Sequence, residues 1–137
     1  MDTTNPETAT DAGIRRRLAI ASRGTVPIFD GTSVMGLLEL GYSVEELHRF
    51  VAPHQTLRQR IDRGEPLTVN ENDSALRLVR VMDMAERVFG DPEKARRWLR
   101  KANRGLDGVV PLDLLDSESG AHIVEETLQQ IDHGIYA

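Results

Sequence analysis

The chain has 137 residues, an apolar fraction of 39%, a formal net charge of -5 and no cysteine. This length suits one domain or two very small ones, and the negative charge excludes a general coat for nucleic acids. The lack of cysteine excludes disulfides and thiolate metal sites. No apolar run approaches the ~18 residues of a spanning helix, and the N-terminus lacks a signal-peptide pattern, so we expect a cytoplasmic protein outside the membrane.

Residues 1–24 are predicted to be a disordered tail with acidic and basic parts. Residues 1–12 are polar and acidic and offer nothing to bury. Arg15–Arg17 then form a basic run, which we interpret as a solvated linker in preference to a phosphate-binding arm.

The region 25–84 is predicted to be helical from its cap and stop residues. Asp30 and Gly31 mark a turn, and Gly41 and Gly64 stop helices, since glycine adopts positive φ at little cost. The first three helices are expected from Thr32 or Ser33 to Leu40, from Ser43 to before Pro53, and from about Gln55 to Arg63.

A long fourth helix is expected after Thr68, because Thr68 and Glu71 form a capping-box pattern. It ends at Gly90. Its apolar stripe is Ala75, Leu78, Met82, Ala85 and Phe89. The opposite side carries Arg77, Arg80 and Arg87.

The region 85–137 is also predicted to be helical. Asp91 and Pro92 begin a helix that ends near Lys101, Pro111 begins a short element, and Ser117 caps a last helix that Gly134 closes. The buried stripe of that last helix is Val124, Thr127, Leu128 and Ile131. No alternation of period two is long enough for a strand, so the predicted fold class is all-α.

The helices on either side of Ala52-Pro53-His54 have the dimensions of a helix-turn-helix that reads DNA. Leu57 and Ile61 share the core face of the second helix. The candidate DNA-binding residues on its other faces are Gln55, Thr56, Arg58, Gln59, Arg60 and Arg63. An ordinary surface helix also exposes polar residues, and nearby carboxylates dilute the positive field, so a packing module remains the alternative.

The chain from Ala85 onward resembles the C-terminal domain of the Xre/ParS/MbcA antitoxin family, and the likeness extends over roughly residues 33–137. The matching landmarks are Val88, Phe89, Gly90, Asp91, Ala95, Trp98, Leu99, Asn103, Leu106, Gly108, Pro111, Leu114, Leu115, Gly120, Val124, Leu128, Ile131, Gly134 and Tyr136. Ala102-Asn103 stands where the family usually has Pro-Asn, and Ser117 stands where it often has Thr.

The resemblance implies that the C-terminal end binds a RES-domain toxin and blocks its NAD pocket. A pocket that holds a pyrophosphate needs positive side chains, which acidic groups and an aromatic ring would complement. The candidate toxin-binding residues are Glu125, Glu126, Asp132, His133, Gly134, Ile135, Tyr136 and Ala137. Without the family, a frayed chain end would be the simpler interpretation.

We expect no enzyme, no cofactor and no metal site. The histidines lack the i, i+4 spacing of a helical zinc site, and adjacent glutamates on a helix face different directions. The leading hypothesis is an antitoxin that inhibits its cognate RES-domain toxin, represses its own operon by binding operator DNA, and forms a homodimer within a toxin–antitoxin hetero-oligomer. A stand-alone DNA-binding regulator and a pure protein inhibitor remain the competing hypotheses.

Overall fold

A computed structural model describes residues 29–134, apart from the side chain of Thr32. The chain divides into two compact units, with the boundary between Val79 and Arg80. The predicted boundary after residue 84 falls close to this division. The predicted tail 1–24 and residues 135–137 lie outside the described part of the chain.

The N-terminal unit is built from short helices followed by the first part of a long one. These elements are α1 (Gly31–Val34), α2 (Gly36–Glu39), α3 (Val44–Phe50), α4 (His54–Arg63) and the start of α5 (Val69–Phe89). The helix predicted to run unbroken to Leu40 is interrupted at Met35, and it begins earlier than expected.

Asp30, rather than Thr32 or Ser33, starts this first helical stretch, which corrects the prediction. The Asp30 carboxylate accepts a hydrogen bond from the Ser33 backbone N–H at 2.7 Å, and the Ser33 hydroxyl accepts one from the Asp30 N–H at 2.9 Å. Ser33 therefore occupies the third position of a reciprocal cap, where its hydroxyl replaces the more usual glutamate.

Long-range polar contacts fix the N-terminal core. The Tyr42 hydroxyl donates to the carbonyl oxygen of Leu78 at 2.6 Å, and the Asn72 side chain accepts from the Phe29 N–H at 2.8 Å. A Cβ on Gly31 would overlap the backbone of Arg60, so α1 packs directly on α4. The largest fully buried side chains in this unit are Phe29, Val34, Leu37, Leu40, Leu47, Leu78 and Val79.

The C-terminal unit contains the rest of α5, then α6 (Pro92–Arg100), the 3₁₀ turns η1 (Arg104–Leu106) and η2 (Pro111–Leu114), and α7 (Glu118–Asp132). Both predicted caps are confirmed. The Asp91 carboxylate accepts from the Glu93 N–H at 3.0 Å, and the Ser117 hydroxyl accepts from the Gly120 N–H at 3.0 Å. Pro92 and Pro111 each open the element that follows them.

The turn η2 links the helices of the C-terminal unit, because both α6 and α7 contact it. A Cβ on Gly120 would overlap the carbonyl oxygen of Leu114, so only glycine lets α7 approach η2 this closely. The fully buried residues Ala95 and Leu99 of α6 and Val124 and Leu128 of α7 contribute to the core of this unit.

The prediction for the polar side of α5 was partly wrong. Arg77 is buried, and Val79 and Val81 of the same helix are fully buried. The apolar surface of α5 is therefore wider than the predicted stripe. Arg77 keeps a polar partner, since its guanidinium donates to the Ser74 hydroxyl at 3.3 Å. Within residues 29–134 the only β contacts are isolated bridges, and the all-α prediction is confirmed.

Candidate functional site

The first candidate site is the outer surface of α4 in the N-terminal unit. Residues 51–53 join α3 to α4, and Ser43 and Glu46 form a reciprocal capping box that starts α3. Leu57 is buried and Ile61 is half-buried, which confirms the predicted inner face of α4. Gln55 and Gln59 are exposed. The structure thus exposes two amide side chains on a short helix whose inner face packs against the core.

Arg60 lies apart from this outer surface, although it was a predicted DNA ligand. Its guanidinium donates to both carboxylate oxygens of Glu71, at 3.1 and 3.2 Å, and to Glu65 at 3.3 Å. The hydrogen bond to Glu71 raises the pKa of Arg60, while burial partly opposes this. Burial alone would raise the pKa of Glu71, but the hydrogen bonds from Arg60 and Thr68, together with the charge of Arg60, outweigh burial and the pKa is lowered. Arg60 therefore ties α4 to the start of α5.

The other two arginines of α4 are exposed and only loosely paired. Arg58 lies 3.8 Å from Asp62, and Arg63 lies 3.9 Å from Glu65. Exposed pairs at such distances contribute at most about 1 kcal/mol, so a phosphate can displace either carboxylate at little cost. Thr56, the remaining predicted residue, is half-buried.

The second candidate site is the C-terminal end of α7. Val124, Thr127 and Leu128 are buried as predicted, while Glu126 and Asp132 are exposed. His133 and Gly134 are exposed too, and Gly134 ends the helical stretch at a φ of 74°. The predicted residues Ile135, Tyr136 and Ala137 lie outside the described residues. The described end of α7 is thus a firmly seated helix with an acidic outer side.

Glu125, a predicted toxin-binding residue, takes part in an ion pair within the C-terminal unit. Its carboxylate accepts from Arg80 at 2.9 Å, and only 16% of its side chain is exposed. Arg80 also reaches Glu118 at 2.5 Å. Burial would lower the pKa of Arg80, but the hydrogen bond from its guanidinium to Glu125 and the nearby negative charges raise it. Glu125 therefore holds α7 against α5, and this contact was missed because nothing in the sequence links residues 45 positions apart.

The described part of the chain has neither a metal-binding cluster nor a membrane-spanning helix. Residues 29–134 hold no cluster of three His, Asp or Glu side chains that is suited to a metal ion. None of the helices there combines the length and apolar character that a membrane span requires.

Known relatives of the chain carry antitoxin names. Residues 84–134 match the family described as the antitoxin Xre/MbcA/ParS C-terminal toxin-binding domain. An antitoxin Xre of Pseudomonas putida is 36% identical, across 94% of this chain and 77% of that protein. An antitoxin Xre of Yersinia enterocolitica is 30% identical, across 96% and 95%. A Sphingobium protein named Prs ADP-ribosylating antitoxin is 28% identical, across 75% and 80%.

Proposed function

The chain belongs to the Xre/MbcA/ParS family of antitoxins, and we propose that it neutralises a RES-domain toxin by blocking the toxin's NAD pocket with its C-terminal end. Membership of this family confirms the prediction that the chain is not an enzyme, because antitoxins act by binding a toxin. The identity of the toxin and the way it is blocked are the parts we propose.

The observation that carries the proposal is the one-sided charge of the C-terminal segment. From residue 105 to the end there is no lysine or arginine. The charged residues are all acidic: Asp107, Asp113, Asp116, Glu118, Glu125, Glu126 and Asp132. A cleft that binds the pyrophosphate of NAD must present cations, so it attracts an acidic helix end. Tyr136 adds an aromatic ring.

The choice of an NAD-using toxin rests on the family resemblance and on one relative's name. ADP-ribosylation takes its ADP-ribose from NAD, and the Sphingobium relative carries that word in its name. The seated helix α7 favours the same mechanism, because a helix held by Arg80 and by the Gly120 contact can present its end without a large loss of entropy.

Removal of Ile135–Ala137 tests the blocking end directly. The toxin encoded next to this chain is assayed by its consumption of NAD, with the full-length or the shortened chain added. We expect the shortened chain to bind the toxin through its remaining surface and to lose most of its inhibition. A chain that lacks residues 2–4 is the matched control and retains inhibition. Full inhibition by the chain without residues 135–137 would contradict the proposal.

We further propose that α3 and α4 form a helix-turn-helix that binds the operator of the chain's own operon, as a homodimer within the toxin–antitoxin complex. The exposed amides of Gln55 and Gln59 support this role, because an amide can make paired hydrogen bonds to an adenine edge. The exposed Arg58 and Arg63 are suited to phosphates. A homodimer matches the two-fold symmetry of a palindromic operator.

Replacing both glutamines with alanine tests this DNA contact. Each lost amide contact weakens discrimination between operator and random duplex by about 1–3 kcal/mol, while binding to random duplex persists. Asn70→Ala removes an exposed amide from the start of α5 and is the matched control. Unchanged discrimination in the glutamine variant would favour a pure protein inhibitor.

A further inference from the structure

The segment 94–104, called here the basic segment, covers most of α6 and the start of η1. It contains no carboxylate and both lysines of the chain. Its cations are Lys94, Arg96, Arg97, Arg100, Lys101 and Arg104. Because the chain as a whole carries a net charge of -5, this concentration of positive charge contrasts with the acidic remainder.

Four of these cations are exposed and unpaired. Lys94, Arg97, Lys101 and Arg104 have no ion pair with any residue that the structure describes. The two others are engaged locally, since Arg96 pairs with Glu93 at 3.1 Å and Arg100 donates to the Arg96 carbonyl. The basic segment therefore offers positive charge that no carboxylate among residues 29–134 neutralises.

Cations elsewhere in residues 29–134 are differently placed. Arg58, Arg60, Arg63, Arg80 and Arg87 each lie within 4 Å of a carboxylate. Arg49 lies over the Phe50 ring, and Arg77 is buried beside Ser74. Exposed lysines and arginines are costly to crowd together without a counter-charge, so their concentration in one segment indicates a binding surface for an anion.

Cations of this segment lie around a shallow groove on the protein surface. A shallow groove of about 290 Å³ is lined by Arg96, Arg97, Arg100 and Lys101, and no acidic side chain lines it. Arginine presents a planar fork that bonds two phosphate oxygens at once, and lysine adds a flexible point charge. The aliphatic stems of these side chains form most of the lining, so the charged groups at the ends of the side chains, and not the groove itself, are what the segment offers to an anion.

We propose that the basic segment binds the phosphate backbone of duplex DNA. Protein interfaces are enriched in arginine as well as in aromatic residues, so the arginines alone do not distinguish DNA from an acidic protein. The lack of an exposed aromatic anchor in the segment is what favours DNA. The only aromatic residue of the segment, Trp98, is half-buried, and its ring lies 5.7 Å from that of Phe89. A surface that is entirely cationic, with no exposed aromatic anchor, matches a polyanion.

This inference goes beyond the proposed function, which gives the DNA contact to α4. Backbone contacts add affinity for every sequence, whereas base contacts from α4 add discrimination. The two surfaces therefore predict different consequences when each is altered, and one can fail without the other.

The test measures binding of the full chain to a fluorescent random-sequence duplex by anisotropy, between about 50 and 200 mM salt. The main variant replaces Lys94, Arg97, Lys101 and Arg104 with glutamine. We expect its affinity to fall about tenfold or more and the log–log salt slope to lose about 3.6. The single variant Arg97→Gln should lose about 0.9 of slope. Arg87→Gln, which removes an exposed but paired arginine, should lose little.

Glutamine is a good helix former and all four positions are exposed, so the variant should keep its melting temperature, and circular dichroism checks this. An unchanged affinity and slope would overturn the inference. Loss of toxin inhibition with DNA binding intact would also overturn it and would make the segment a protein interface. The Gln55 and Gln59 double variant separates the two sites, because it should still bind random duplex with the wild-type slope.

Discussion

Helices α4 and α6 have similar compositions but different electrostatic environments. Each is short and carries three arginines, although only α4 was predicted from the sequence to contact an anion. In α4 all three arginines lie near carboxylates, and Arg60 is held by Glu71 and Glu65. In α6 and the residues that follow it, four exposed cations have no such partner in the described part of the chain.

The difference between the two helices shows that a count of arginines does not predict which of them can bind a ligand. A guanidinium already bonded to two carboxylates must lose those bonds before it can bind a phosphate, and the exchange yields little. An unpaired surface cation gives up only water and mobile ions. The following variants test this difference between paired and unpaired arginines, in order of decreasing expected effect.

The largest losses of unfolding free energy are expected from Gly31→Ala in the N-terminal unit and Gly120→Ala in the C-terminal unit, because each change disrupts a close packing contact. A Cβ at either position overlaps backbone, of Arg60 in α4 or of Leu114 in η2, and neither backbone can yield as a side chain would. Each variant should lose about 3 kcal/mol of unfolding free energy in urea. Gly108→Ala is the control, since its Cβ meets open space and costs only about 1 kcal/mol through its positive φ. Equal losses at all three positions would contradict the packing described for Gly31 and Gly120.

A smaller effect should separate structural arginines from binding arginines. Arg80→Met leaves Glu118 and Glu125 without their shared cation and should cost about 1–2 kcal/mol, allowing for partial solvent screening. Arg97→Met, at an exposed and unpaired position, should change stability by less than about 0.5 kcal/mol. Thermal melts measure both. Equal destabilisation by Arg97→Met and Arg80→Met would contradict the distinction between structural and binding arginines.

The pairing of Glu71 should appear as a dependence of stability on pH. Its folded pKa is lowered, so its ionised form stabilises the fold at neutral pH, and this contribution is lost as the pH falls below the ordinary glutamate range and through the folded pKa. Glu71→Gln should cost about 1 kcal/mol at neutral pH and nothing in acid. Urea midpoints of both proteins across this range provide the measurement. A difference that persists unchanged in acid would rule out the ion pair as its cause.

The smallest effect is expected from freeing an arginine of α4 from its carboxylate partner. This change makes the electrostatic environment of α4 more like that of α6. Asp62→Asn removes the carboxylate 3.8 Å from Arg58, and the released arginine should raise affinity for duplex DNA roughly two- to fivefold. Asp73→Asn, an exposed carboxylate on α5, makes the same change in net charge and controls for it. An equal gain in both variants would assign the effect to net charge and not to Arg58.

The local features of this fold were predictable because they depend on neighbouring residues. Thr68 and Glu71 do form the predicted capping box, and Ser117 and Asp91 cap the predicted helices. The start of the first helix was misplaced because the cap lies at Asp30 and not at Thr32 or Ser33, and nothing in the sequence indicated the break at Met35. These errors moved a helix boundary without changing the fold class.

The environment of single side chains was not predictable, because it depends on residues far apart in the sequence. Arg60 pairs with Glu71, eleven positions away, and Glu125 pairs with Arg80, forty-five positions away. Periodicity assigned both to outer faces, and the fold placed both in ion pairs. The basic segment was visible as a run of cations in the sequence, but only the structure showed that four of them lack partners.

The central claim is that the C-terminal end of the chain occupies the NAD pocket of its toxin. Inhibition of a RES-domain toxin partner by this chain should be measured at increasing NAD concentrations. If the end of the chain and NAD compete for one pocket, the apparent inhibition constant should rise in proportion to NAD once NAD exceeds its own dissociation constant. An inhibition constant that does not change with NAD would place the inhibitory contact elsewhere on the toxin.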